Sequence, residues 1–275
     1  MKKLLLDAQK RKYAVPQFNI NNLEWTKYIL EECELNKSPV ILGVSESSIK
    51  YIGGYNVVVN MIKALMDSLN ITIPVVIHLD HGKSVESCKK ALNAGFNSIM
   101  IDGSKYNIDE NIRLVKEVQK LLTNQTLEAE IGQIKTNDYA DKKGYADINE
   151  CQKLVKTTSI DCLAPALGSV HGLYKGHAKL DFKLMKDIYD KINLPLVLHG
   201  GSGLKDQIIQ KSIENGICKI NVNTELQLAW TKGIRKYLKL NKDVYDPRKI
   251  ISSGEENLKQ CVKKKIFLFK SNNKG

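Results

Sequence analysis

Eight short β-rich runs alternate with amphipathic helical stretches along this chain, and that alternation limits the folds available to it more than any other feature. The runs are AVPQFNI (14–20), PVILGVS (39–45), IPVVIHL (73–79), SIMIDG (98–103), LEAEIG (127–132), CLAPALG (162–168), PLVLHGG (195–201) and CKINVNT (218–224). A helical pattern follows each one, as in SVESCKKALNAG, where Ser84 is placed to cap the start and Gly95 the end. Strands separated by helices pair in parallel, and eight such units form a (β/α)8 barrel, here with a short helix at 3–11 before it and a helical extension after it. An open doubly wound sheet is the competing architecture. It is disfavoured because no glycine-rich dinucleotide fingerprint follows the first run. Residues 1–275 are read as one domain.

Composition narrows the function classes. No apolar run approaches the ~18 residues of a membrane span, and MKKLLLDAQKRK returns to charge too soon for a secretory signal, so the expectation is a cytoplasmic protein. The six cysteines are far apart with no C-x-x-C pair, which predicts reduced thiols, mostly buried, and not a zinc knuckle or a disulfide framework. The formal charge of +12 is scattered through every segment. It reads as a solvated surface and argues against nucleic acid as the primary partner.

The run 73–82, IPVVIHLDHG, ends in ionisable groups, as do its neighbours. In a parallel barrel the C-terminal strand ends form the site. The polar residues there are Asp80 and His81, Asp102 and Ser104, Glu128 and Glu130, His171, His199, and Asn221, Asn223 and Thr224. Three of the five histidines, His81, His171 and His199, thus converge on one rim. Three imidazoles with an open fourth position are the donor set of a catalytic Zn²⁺, which acts as a Lewis acid on a substrate oxygen. His78, inside its run, is expected to pack in the core; His177 is expected to be exposed and unligated. Glycines follow two of the histidines, in HGLYKG (171–176) and HGGSG (199–203), where the missing Cβ lets backbone N–H groups approach an anion. GGSGLKDQI leads into a helix start and, with NVNT, occupies the phosphate site of this fold. Asp80 is the candidate general acid/base, its other role being to orient a histidine.

Taken together, QFNINNLEW, SPVILGVSE, HLDHG, AGFNSIMIDGS, EAEIG, APALGSVHGLYKG, LPLVLHGGSG, KINVNTE and YDPRK resemble, in order and over nearly the whole chain, the class II metal-dependent fructose-bisphosphate aldolases. The resemblance implies cleavage of D-fructose 1,6-bisphosphate to dihydroxyacetone phosphate and glyceraldehyde 3-phosphate through an enediolate. It places Zn²⁺ on His81, His171 and His199, with Asp102 and Glu130 as an alternate or second metal position. Asp80 is then the base toward the C4 hydroxyl, and Asn221 lies near the reacting oxygens. Substrate and phosphate contacts fall to Ser45, Gly172, Lys175, Gly200, Ser202, Asn223 and Thr224. Arg248 is implied to reach a neighbouring subunit's site, making the protein a homodimer or homotetramer. A monovalent cation, Na⁺ or K⁺, beside the phosphate is also implied.

The chain departs from the family pattern after the fifth run. GQIKTNDYADKKGYAD is shorter than the usual loop and lacks its glycine pair; Asp138 is the expected acid for C3 proton exchange, with Asp141 as substitute. Lys83 and His177 add positive charge where a small residue and an acid are common. Related aldolases acting on tagatose 1,6-bisphosphate or 6-phospho-5-dehydro-2-deoxygluconate share the same machinery. A Schiff-base mechanism would use Lys219 or Lys83. A basic RNA- or partner-binding protein on an aldolase fold is the alternative from outside enzymology.

Overall fold

The computed structural model describes residues 1–134, 144–172 and 179–275. Eight parallel strands close into a barrel in sequence order: β1 (Val15–Asn19), β2 (Val40–Ser45), β3 (Val75–Gly82), β4 (Ser98–Ile101), β5 (Thr126–Ile131), β6 (Cys162–Pro165), β7 (Leu196–Leu198) and β8 (Ile217–Val222). Closure is made by β1 against β8, with Gln17 opposite Asn221. The strands are buried almost throughout, as strands covered on both faces must be.

Around them lie α1 (Lys2–Arg11), α2 (Leu23–Leu35), α3 (Glu46–Ile52), α4 (Tyr55–Ser68), α5 (Val85–Ala94), α6 (Ile108–Gln119), α7 (Ile148–Thr157), α8 (Phe182–Ile192), α9 (Asp206–Glu214), α10 (Thr224–Leu240), α11 (Pro247–Ser252) and α12 (Glu255–Leu268). Local chemistry starts and stops them. The Ser84 hydroxyl accepts the Ser87 N–H at the start of α5 at 3.1 Å, and Gly95 ends that helix at φ 103°, as the sequence predicts. Asn22, Asn107, Asp147 and Asp181 cap α2, α6, α7 and α8 in the same way.

The main core fills the space between strands and helices. A second, smaller cluster joins Leu5 and Ala8 of α1 to Val15, Ile41, Val76, Cys162, Ala164 and Val197, so the N-terminal helix packs with the lower interior of the barrel. Five of the cysteines are buried and all six are free, as expected. Among the described residues no helix is long and apolar enough to cross a membrane.

Strand limits differ from the sequence reading where backbone geometry intervenes. β3 runs on to Gly82, three residues beyond its apolar run. β7 stops at Leu198, because Gly200 turns out of the sheet at φ 67°; a Cβ there would lie 2.3 Å from the Val170 carbonyl oxygen. The segment after β2 forms two helices, α3 and α4, broken by Gly53 and Gly54, both at positive φ.

Glu34, at the end of α2, ties that helix to the segment leading into β3. Its carboxylate accepts the backbone N–H of Thr72 at 2.7 Å and of Ile73 at 3.1 Å, accepts the Thr72 hydroxyl at 2.8 Å, and pairs with Lys37. Burial alone would push this carboxyl up, but those bonds favour the anion and bring it from 4.5 down to about 2. A depressed folded value means the stabilisation is fully present above pH 4.5 and is lost as pH falls toward 2. Glu34→Gln is therefore expected to cost about 1 kcal/mol at neutral pH, the low end for a charged hydrogen bond on a part-hydrated group. Urea denaturation of the two proteins across pH checks it: the difference should shrink below pH 4.5, and one that stays constant to pH 2 contradicts it.

Candidate active site

Three strands deliver the centre of the barrel mouth. β3 ends in Asp80 and His81, His199 follows β7, and His171 follows β6. Side chains alternate along a strand, so neighbours such as Asp80 and His81 ordinarily face opposite ways. Here His81 adopts φ 52°, in the left-handed region, and the β3–β4 register slips between Leu79 and Gly82. That bulge turns both side chains to the same cleft. Gly82 follows for a steric reason: a Cβ there would meet the Met100 carbonyl oxygen at 2.6 Å.

The three imidazoles crowd together, with ring centroids 4.7 Å apart for His81 and His199, 5.1 Å for His81 and His171, and 6.0 Å for His171 and His199. One nitrogen of each lies within 4.8 Å of the other two. The outer nitrogens of two rings are committed to carboxylates: His81 Nδ1 lies 2.9 Å from Asp102 Oδ2, and His199 Nε2 lies 2.9 Å from Glu128 Oε1. If each outer nitrogen donates, the inner ones, His81 Nε2 and His199 Nδ1, present lone pairs to each other at 3.0 Å. Two acceptors at that distance repel unless a cation lies between them, either a proton or a metal ion that reaches ~2.1 Å to each nitrogen. The donor set therefore fits a divalent metal. His81, Asp102 and Glu130 form a second group of the same kind, and Glu130 Oε2 is buried with no hydrogen-bond partner among the described residues.

Electrostatics follow from burial and these partners. Burial works against a charged His81, but the Asp102 hydrogen bond and the charges of Asp80 and Glu130 outweigh it and lift the imidazole to about 9. Burial, with the other two histidines, pushes His171 down to about 4, and burial lowers His199. Burial, reinforced by Asp102, raises Glu130 to about 8. Asp80 is buried, which would favour its neutral form, yet the charges of His81, His199, Lys219 and His78 hold it well below the usual carboxylate range. Its oxygens accept from Asn19 Nδ2 at 2.7 Å and Asn221 Nδ2 at 3.4 Å.

A cleft of about 340 Å³ opens above this centre. It gathers Ser45, Asp80, His81, His171, Gly172, Gly200, Ser202, Asn221, Asn223 and Thr224, all singled out from sequence. His199, Asp102 and Glu130 belong to the same cluster without lining the cleft. Asn223 leads into α10, and the Ser202 hydroxyl accepts the Asn223 N–H at 3.3 Å, so a glycine turn and a helix start face one another. The side-chain oxygens of Asn221 and Asn223 are buried with no partner among the described residues. Arg248 is not brought to this site. Its side chain is 89% exposed beside α10 and α11, held by Asp246 at 3.0 Å. Asp138, Asp141, Lys175 and His177 lie outside the described residues.

One residue and one pairing escaped the sequence reading, which names Glu128 as a strand-end carboxylate and Lys219 as a Schiff-base candidate but does not join them. Asn19, on β1, orients Asp80, and its only signal was a polar residue inside an apolar run. Glu128 and Lys219 form a fully buried ion pair at 2.8 Å between β5 and β8, and Glu128 also holds His199. His78 is a core residue as expected, its Nδ1 2.7 Å from the Ser98 hydroxyl; burial, with the Lys219 charge, pushes it down to about 3. Removing one member of a buried pair strands the other, so Lys219→Met is expected to cost about 3–5 kcal/mol. Adding Glu128→Gln, which leaves an oxygen for His199, should recover most of it. Urea denaturation measures both; a Lys219→Met protein as stable as the parent contradicts the assignment.

Comparison with known proteins agrees with this geometry. The family model described as fructose-bisphosphate aldolase class-II matches residues 1–274. A fructose-bisphosphate aldolase of Geobacillus stearothermophilus is 52% identical over 281 residues, covering 100% of this chain and 98% of its own. One from Staphylococcus aureus is 50% identical over 280 residues, with the same coverage. Among solved structures, the YdjI aldolase of Escherichia coli K12 superposes with a TM-score of 0.87 at 32% identity, over 99% of this chain and 97% of that one.

Proposed function

The chain belongs to the class II fructose-bisphosphate aldolases, metal-dependent aldehyde-lyases, and from that membership we propose that it reversibly cleaves D-fructose 1,6-bisphosphate to dihydroxyacetone phosphate and glyceraldehyde 3-phosphate. The observation that carries the reading is one cleft in which an ionised, oriented carboxylate adjoins three histidines at metal-binding spacing and a glycine turn backed by a helix start. Residues 1–275 are proposed to act as one catalytic unit.

In this reading His81, His171 and His199 hold Zn²⁺, with Asp102 and Glu130 as an alternate position. When bound, the ion supplies a Lewis acid for the C2 carbonyl oxygen and the developing negative charge. Asp80, kept ionised and aimed by Asn19 and Asn221, accepts the C4 hydroxyl proton as the C3–C4 bond breaks. The electron pair stays on C3, in conjugation with the C2 carbonyl, and the aldehyde leaves with C4. In the reverse direction Asp80 returns the proton. Asp138 is proposed to exchange the C3 proton.

The dihydroxyacetone phosphate end is proposed to lie against Gly172, Gly200, Ser202, Asn223 and Thr224, with Ser45 and Lys175. Amides of the turn and the positive end of the 17-residue α10 favour a dianion there. A monovalent cation, Na⁺ or K⁺, beside the phosphate belongs to the same reading. Arg248, exposed next to Tyr245 (90% exposed) and Leu240 (72%), is proposed to serve a second copy's site in a homodimer or homotetramer.

The purified protein is expected to cleave fructose 1,6-bisphosphate, to lose activity on chelation, to regain it with Zn²⁺, and to be indifferent to borohydride. Activity that survives chelation and is trapped by borohydride would falsify the metal mechanism. Asp80→Asn is expected to lower kcat by about 10²–10⁴ with metal content unchanged; a kcat within a few-fold of the parent would remove Asp80 from the role. Faster turnover of tagatose 1,6-bisphosphate in the same assay would reassign the substrate.

A further inference from the structure

Gly200, Ser202, Asn221, Asn223 and Thr224 line the cleft, and a second tier of charges stands behind them. Glu225, in the first turn of α10, accepts the backbone N–H of Gly203 at 2.7 Å through one oxygen. Its other oxygen pairs with Lys265 of α12. Lys265 is only 3% exposed, an uncommon place for an ammonium group, and Glu225 is its ion-pair partner. The Ser202 hydroxyl accepts the N–H groups of both Asn223 and Glu225 at 3.3 Å, stitching the turn to the helix start. Gly203, at φ 80°, gives its amide to Glu225, while Gly200 and Ser202 face the cleft.

A carboxylate one residue beyond Thr224 repels an incoming phosphate unless its charge is balanced nearby. We infer that Lys265, on the C-terminal helix and outside the cleft, is a positioning residue for the phosphate subsite: it neutralises Glu225 and holds that carboxylate where it fixes Gly203 and the turn behind it. The inference rests on the reading of Gly200, Ser202, Asn223 and Thr224 as part of the phosphate subsite. Lys265 touches no substrate; it sets the charge and shape of the turn that does. The C-terminal extension is thereby part of substrate recognition as well as of the outer layer.

The experiment uses the zinc-loaded protein, fructose 1,6-bisphosphate as substrate and inorganic phosphate as competitive inhibitor. Lys265→Met is expected to raise KM and the phosphate Ki about tenfold while kcat changes less than about threefold. Lys265→Arg should stay close to the parent. Lys265→Met with Glu225→Gln, which removes both charges and keeps an acceptor for Gly203, should return to within about threefold of the parent Ki. KM and Ki do not depend on the folded fraction, so a loss of stability lowers apparent kcat and leaves these two readouts intact. A phosphate Ki unmoved by Lys265→Met but raised by Ser202→Ala overturns the inference and spares the subsite. A Ki moved by neither variant overturns both. A double variant as weak as Lys265→Met alone overturns charge neutralisation as the cause.

Discussion

The ion pair between Glu128 and Lys219 sits in the barrel interior, and the geometry of the site depends on it. Both side chains are wholly buried and meet at 2.8 Å across the barrel, from β5 to β8. Two charges taken out of water are tolerated only when their remaining hydrogen-bonding capacity is met. Glu128 meets part of its own by accepting from His199 at 2.9 Å and from the Cys162 thiol at 3.5 Å. The His199 bond in turn fixes which of that ring's nitrogens faces His81, so a folding constraint and the orientation of a candidate ligand are one interaction. Lys219, a Schiff-base candidate from the sequence, is held by the Glu128 carboxylate inside the barrel and does not line the cleft.

A second constraint acts one layer higher. A regular strand would present either Asp80 or His81 to the mouth, whereas here both face it. The left-handed residue at His81 and the register slip beside it solve this at a cost of order 1–3 kcal/mol for a non-glycine residue in that region. The surrounding structure repays it: the His81–Asp102 hydrogen bond and the tight packing of Gly82 against β4 leave the turn little alternative. A run of β-branched residues that ends in ionisable groups is thus the sequence trace of a strand whose last turn is bent inward.

This explains which parts of the molecule were legible in the sequence. The barrel was, because β-rich and amphipathic periods alternate eight times and only a few folds bury such a pattern. The rim histidines were, because the fold fixes which end of each strand is functional, and the structure gathers them within 4.8 Å. Strand limits were less legible: β3 and β7 end where a backbone angle turns, and hydropathy carries no record of that. The Glu128–Lys219 pair was not legible. Its members are far apart in sequence, and a lysine in CKINVNT looks the same whether it is solvated or buried. Asn19 and the Lys265–Glu225–Gly203 chain were hidden for the same reason, since long-range polar pairing leaves no periodic mark. Arg248 was legible only through the resemblance, and within one chain it stays apart from the cleft.

Charge balance in the mouth connects these layers. Asp80, Asp102 and Glu128 are all held ionised by their partners. Against these three negative charges Lys219 supplies one positive charge, which leaves two uncompensated. Protons make up only one of the two: His81, which keeps its own to about 9, offsets one charge, while Glu130, protonated up to about 8, adds none. A divalent ion held by the three histidines would balance both charges with His81 neutral, leaving Asp80 an anion able to take a proton. The same balancing recurs beside the glycine turn, where the Glu225 carboxylate that accepts the Gly203 N–H is met by a buried lysine, Lys265.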